Sequence, residues 1–94
     1  MVKNPIITIK GYVLARDYTS LDARFIEKIE RTQNGIFTLE CPNVEDAMKF
    51  NNEAQAKSWC LIINKELEDH HDPDRYIPLR VMSGLQELED EDHV

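Results

Sequence analysis

At 94 residues the chain suffices for one small domain but not for two conventional ones, and its balance of 41% hydrophobic to 31% charged residues is that of a soluble globule with a modest core. No apolar run approaches the roughly 20 residues a membrane-spanning helix needs, and the opening "MVKNPIITIKG" has no signal-peptide core, so the chain is read as cytoplasmic. The net charge of −7 argues against direct nucleic-acid binding, which depends on a basic face, and favours approach to a basic partner.

In chain order, residues 5–15 alternate β-branched and polar side chains and predict a strand, with Gly11 as a bend, a bulge or a close backbone contact. Residues 16–23 are polar and turn-prone. The dipeptide Asn34-Gly35 between two β-prone runs then predicts a hairpin over 25–41. A helix through Phe25, Ile26 and Ile29 is the alternative. A three-residue loop of Gln33, Asn34 and Gly35 would pair Ile29 with Leu39, Arg31 with Phe37 and Lys28 with Glu40, so it is preferred to a two-residue loop of Asn34 and Gly35, which sets charges against apolar groups.

After Pro42, Asn43 is a candidate cap for a short helical turn. The main helix follows over 53–70, opened by Asn52 with Gln55 three residues on. Ala56, Trp59, Cys60, Ile63 and Leu67 form one stripe of helical period, and Leu61 and Ile62 widen it beyond what a small core requires. Asp72-Pro73 stops the helix. Residues 75–82 predict a last strand, with Pro78 placing it at an edge or pairing it on one side only near that point. The fold class is therefore α+β: a small antiparallel sheet of three to four strands packed against one main helix. A single domain covers 1–85, and 86–94 form an acidic disordered tail.

The stretch "EDHHDPDR" invites a metal or catalytic reading of His70, His71, Asp72 and Asp74. Adjacent helical residues point about 100° apart, so two neighbouring imidazoles cannot converge on one ion, and the end of a helix accounts for both. No Gly-x-Ser-x-Gly, phosphate-cradling loop or activated cysteine is present. Cys41 and Cys60 are read as buried free thiols, and Trp59, Phe37, Phe50 and Tyr12 as core. No catalytic, cofactor-binding or metal site is assigned, and no cofactor is expected.

The run from Asp46 to Ala54, "DAMKFNNEA", preceded by a hairpin and opening an amphipathic helix, resembles short accessory proteins encoded by bacterial phages and prophages. The resemblance implies that Phe50 and Ala54 pack onto the hairpin, and that the chain inhibits or modulates a host protein, such as an antiviral or nucleic-acid-handling one. The expected function is that of a small non-enzymatic binding protein. The expected contact residues are Gln33 and Asn34 at the hairpin tip, Lys57, Leu61 and Lys65 on the helix, and Arg80 on the last strand. The alternative is a metal-binding protein or small metal-dependent hydrolase built on His70, His71, Asp72 and Asp74. A homodimer through strand addition or the helix face is compatible with so small a core.

Overall fold

A computed structural model describes residues 9–82 and 85–88, with the backbone alone for 85–87. The α+β architecture expected from the sequence is present. Strands β1 (Gly11–Arg16), β2 (Arg24–Thr32), β3 (Gly35–Cys41) and β4 (Ile77–Val81) form an antiparallel sheet, extended by the short β5 (Leu85–Glu87), in the order β3-β2-β1-β4-β5. Helix α1 (Glu53–Asp69) lies between β3 and β4 in sequence and covers one face of the sheet.

The central strand β1 feeds both faces. Leu14 points toward α1 and joins Ile26, Phe50, Ala56, Cys60, Ile63 and Tyr76 in one buried cluster. Val13 and Ala15 point away and join Phe25, Cys41, Ala47, Leu79 and Val81 in a second. That outer cluster is covered by Tyr18 and Ala23 from the β1–β2 loop and by Val44 from the connection after β3. A strand buried on both faces needs a continuous apolar run, which "YVLA" supplies.

β1 and β2 pair only at Ala15 with Phe25 and Arg16 with Arg24. Beyond that point a piece of the connection fills the gap. The Met48 amide donates to the Ile26 carbonyl (2.9 Å), while Phe50 exchanges two hydrogen bonds with Tyr12 (2.8 and 3.1 Å). Gly11 makes this approach feasible: its φ is +136°, and a Cβ there would stand 3.2 Å from the Phe50 carbonyl oxygen. It thus fulfils the expectation of a close backbone contact. The strand predicted over 5–15 begins only at Gly11; residues 5–8 lie outside the described residues.

The hairpin forms, but its register corrects the sequence reading. Thr32 pairs with Gly35, so the loop is Gln33 and Asn34, and the pairs are Ile29 with Thr38, Glu30 with Phe37 and Lys28 with Leu39. The register steps by one between Ile26 and Lys28 to restore Phe25 opposite Cys41. Two influences displace the expected pairing. The Thr32 hydroxyl accepts from the Asn34 amide (3.1 Å) and donates to the Gly35 carbonyl (3.3 Å), tightening the loop. In addition, this register turns Ile29 and Ile36 together toward α1, where they pack with Trp59. Phe37, expected in the core, is thereby turned to the outer face and is 54% exposed, with Leu39 beside it at 56%.

The connection after β3 holds one 3-10 turn, Val44–Asp46, and Asn43 makes no side-chain capping bond to it. At α1 the expected cap is present: the Asn52 side chain accepts from the Gln55 amide at 2.7 Å. The resemblance placed Phe50 and Ala54 against the hairpin; Phe50 is buried, but Ala54 is exposed and Ala56 is the buried alanine, because the core stripe starts one half-turn later.

The helix ends by a backbone device. His71 has φ +59°, its amide donates to the Glu68 carbonyl (3.0 Å), and the Asp72 amide donates to the Leu67 carbonyl (2.9 Å). These two bonds with a left-handed residue between them constitute a Schellman motif, in which His71 occupies the position glycine usually takes. On β4, Pro78 pairs with Leu14 of β1, whereas β5 pairs only with Leu79, Arg80 and Val81. The proline is thus paired on one side, as its missing donor requires. Beyond β4 the described residues are 85–88, comprising β5 and a buried Leu88, and residues 89–94 of the expected tail lie outside the described residues.

Candidate functional site

Four of the six expected contact residues share one surface. Lys57, Leu61 and Lys65 follow one another at i, i+4 spacing along α1, on a flank away from the buried stripe of Ala56, Cys60 and Ile63. Arg80 joins them through Glu53, whose carboxylate stands 3.8 Å from the Lys57 ammonium and 3.6 Å from the Arg80 guanidinium. Lys65 lies 3.3 Å from Asp69. Within this frame of matched charges Leu61 is 73% exposed. Gln33 and Asn34 are exposed too, but they stand at the β2–β3 turn, on the other side of β1 from Arg80 in the sheet order.

A second surface was not anticipated from the sequence. Where β2 diverges from β1, a groove of about 290 Å³ opens between the hairpin and the start of α1, lined by Ile29, Arg31, Met48, Phe50, Gln55 and Trp59. The Arg31 guanidinium sits over the Trp59 ring, 5.4 Å from its centre. Such a contact contributes on the order of 0.5–1 kcal/mol when exposed. Lys49 also borders the groove, but its ammonium donates to the Val44 and Ala47 carbonyls (2.6 and 3.0 Å) and so fastens the connection. Only tertiary structure brings Arg31 and Trp59 together, and no local pattern signals it.

The histidine stretch is built into the ends of secondary structure. His70 Nε2 lies 3.3 Å from Glu66 Oε1, and that same oxygen accepts from the Ile36 amide at 3.5 Å. Glu66 therefore ties the last turn of α1 to the start of β3, and a Cβ at Gly35 would come within 2.5 Å of it. Asp72 Oδ1 accepts from the Asp74 amide (2.8 Å), closing a turn, while Asp74 lies 3.9 Å from Arg16. His70, Asp72 and Asp74 thus have separate side-chain engagements, and His71 serves the helix end through its backbone. Among the described residues no group of three or more His, Cys, Asp or Glu side chains is arranged to hold a metal ion.

The most densely bonded polar cluster joins β1, β3 and the approach to β4. Arg16 forms two hydrogen bonds to Glu40, from Nε (2.6 Å) and Nη2 (2.8 Å), and the Tyr76 hydroxyl donates to the same carboxylate. The Arg16 guanidinium, and after it the Tyr76 hydroxyl, hold Glu40 below the usual carboxylate range, against burial acting in the opposite sense. Burial first, and then Glu40, push the Tyr76 phenol up. Nearby, Asn64 clamps the backbone of Tyr76, accepting from its amide (2.8 Å) and donating to its carbonyl (2.9 Å). The Cys60 thiol points at the same carbonyl (3.1 Å), and burial pushes it up to about 11. Cys41 is likewise buried, free and raised by burial, as befits an unreactive thiol.

Fold and surface together define a small α+β domain whose helix exposes Leu61 and, less fully, the adjacent Ile62. Compared with protein-family models, curated proteins and solved structures, the chain matches none. Among the described residues no helix is long and apolar enough to cross a membrane.

Proposed function

We propose that the chain is a small, non-enzymatic binding protein that docks on another protein through the outer flank of α1. The observation that supports the reading is Leu61, 73% exposed on a helix whose opposite stripe is fully packed. An apolar side chain flanked along the helix by Lys57 and Lys65, each facing a carboxylate, with Arg80 sharing the Glu53 carboxylate of Lys57, has the composition of an interface anchor with a polar rim. The acidic residues concentrated at 87–94 favour a partner with a basic surface, and a nucleic-acid-handling protein of a bacterial host is such a partner. In this reading the chain is a phage-encoded inhibitor acting in the host cytoplasm.

Affinity capture from bacterial lysate with the full chain, read by mass spectrometry against a Leu61→Glu variant, tests it. The expected result is a protein retained by the parent and lost by the variant. Retention of nothing above background, or equal retention by both, overturns the reading.

A further inference from the structure

Among the described residues β3 is an edge of the sheet, with no strand paired on its outer side. Edge strands in natural monomers are blunted by proline, lysine, bulges or shortness. β3 has 7 residues with neither proline nor lysine, and the register step of the hairpin falls on β2 instead. In an antiparallel pair closed by Thr32 and Gly35, hydrogen-bonded and non-bonded positions alternate. Gly35, Phe37 and Leu39 therefore direct their backbone groups at β2, and Ile36, Thr38 and Glu40 direct theirs outward. The Ile36 amide accords with this, since it reaches the Glu66 carboxylate at 3.5 Å.

We infer that β3 pairs with β3 of a second copy of this chain, antiparallel about a two-fold axis through Thr38, so that the two sheets become one. The strand is self-complementary in this register. Thr38 is the midpoint of Gly35–Cys41, so the whole strand overlaps, and the outward backbone groups at 36, 38 and 40 meet those at 40, 38 and 36 of the second copy. Phe37 stands opposite Leu39 of the second copy at non-hydrogen-bonded positions, where side chains approach most closely. Four apolar side chains that are each more than half exposed in one copy then cover one another. Charge permits the approach: Lys28 and Glu30, beside this patch on β2, pair at 2.9 Å, and Glu40, the ionised side chain of β3, is held by Arg16. The Glu66 contact to Ile36, long at 3.5 Å, must yield.

Sedimentation equilibrium of the full chain over roughly 1 µM to 1 mM should show the mass rising from 11.0 kDa toward twice that value. Thr38→Pro removes an N–H that points to the free edge, so the hairpin keeps its own bonds while the two-fold centre loses two. Leu39→Glu places its carboxylate opposite Lys28 within the hairpin but against Phe37 of the second copy. Each should raise the dissociation constant at least about tenfold, a loss of about 1.4 kcal/mol. Thr38→Val, which keeps the N–H, and Leu61→Glu, on the helix, should associate like the parent. Circular dichroism and melting curves establish that each variant is folded, and if Thr38→Pro is not, Leu39→Glu decides. A mass of 11.0 kDa throughout, association unchanged in the folded edge variants, or association lost in Leu61→Glu overturns the inference.

Discussion

β1 and β3 are both short antiparallel strands with mainly apolar sequences, yet their fates differ. In β1, Val13, Leu14 and Ala15 are fully buried, whereas in β3 Phe37 and Leu39 stay more than half exposed. Hydrophobicity does not separate them. Position in the sheet does: β1 is central, roofed by α1 on one face and by the β1–β2 loop and the 42–50 connection on the other. β3 is at the edge, and only the end carrying Cys41 reaches the outer cluster. Burial in a domain this small is limited by covering elements, and the apolar side chains beyond their reach are left for other surfaces.

The same substitution in the two strands measures the difference most directly. Leu14→Ala should cost about 3 kcal/mol in urea denaturation, because it opens a void where α1 meets the sheet centre. Leu39→Ala, at low micromolar concentration, should cost less than about 0.5 kcal/mol. Comparable costs at both positions would mean that the outer face of the hairpin is covered in solution. Asn64→Ala comes next. It strips the Tyr76 amide and carbonyl of their side-chain partner in a partly buried place and should cost about 2 kcal/mol by the same assay.

Local signals in the sequence carried the elements well and their juxtapositions poorly. Asn52 with Gln55, the apolar stripe of α1 and the one-sided pairing at Pro78 are local chemistry, and each is realised. The hairpin was legible from Asn34-Gly35, but its register was not, because pairing preferences within the hairpin were outweighed by Ile29 and Ile36 packing on a helix some 20 residues further on. That single register choice misplaced Phe37. Of the candidate site, the i, i+4 series through Leu61 could be read from periodicity, and its connection to Arg80 through Glu53 could not. Nor could the groove under Arg31 and Trp59, or the cluster of Arg16, Glu40 and Tyr76, whose members are far apart in sequence.

The histidine pair offers a smaller effect with the opposite sign. His71 holds the left-handed position that terminates α1, at a conformational cost of about 1 kcal/mol that glycine avoids. His71→Gly should therefore stabilise the fold by about 1 kcal/mol, read as a raised denaturation midpoint. A destabilised variant would show that the imidazole itself makes an interaction that outweighs its backbone strain. Because His71 lies at the helix end nearer the hairpin, the gain should appear equally in an Asn64→Ala background if the two regions are energetically independent.

The mildest test concerns the ion pair that connects the two strands compared above, Arg16 of β1 and Glu40 of β3. Arg16 holds Glu40 below its unfolded-state value, so the carboxylate contributes stability at and above the ordinary carboxylate range. As pH falls through the lowered folded value, the native state must take up the proton and that contribution disappears. Urea midpoints should therefore drop as pH falls below about 4.5. In Arg16→Met the largest lowering influence is gone, and only the Tyr76 hydroxyl and Arg24 are left to oppose burial, so the drop should be shallower. Parent and variant slopes that superimpose would mean that β1 and β3 are joined by packing alone. At the alkaline end the sign reverses: with the Tyr76 phenol raised in the fold, the unfolded chain loses its proton first, and stability should decline above about pH 10.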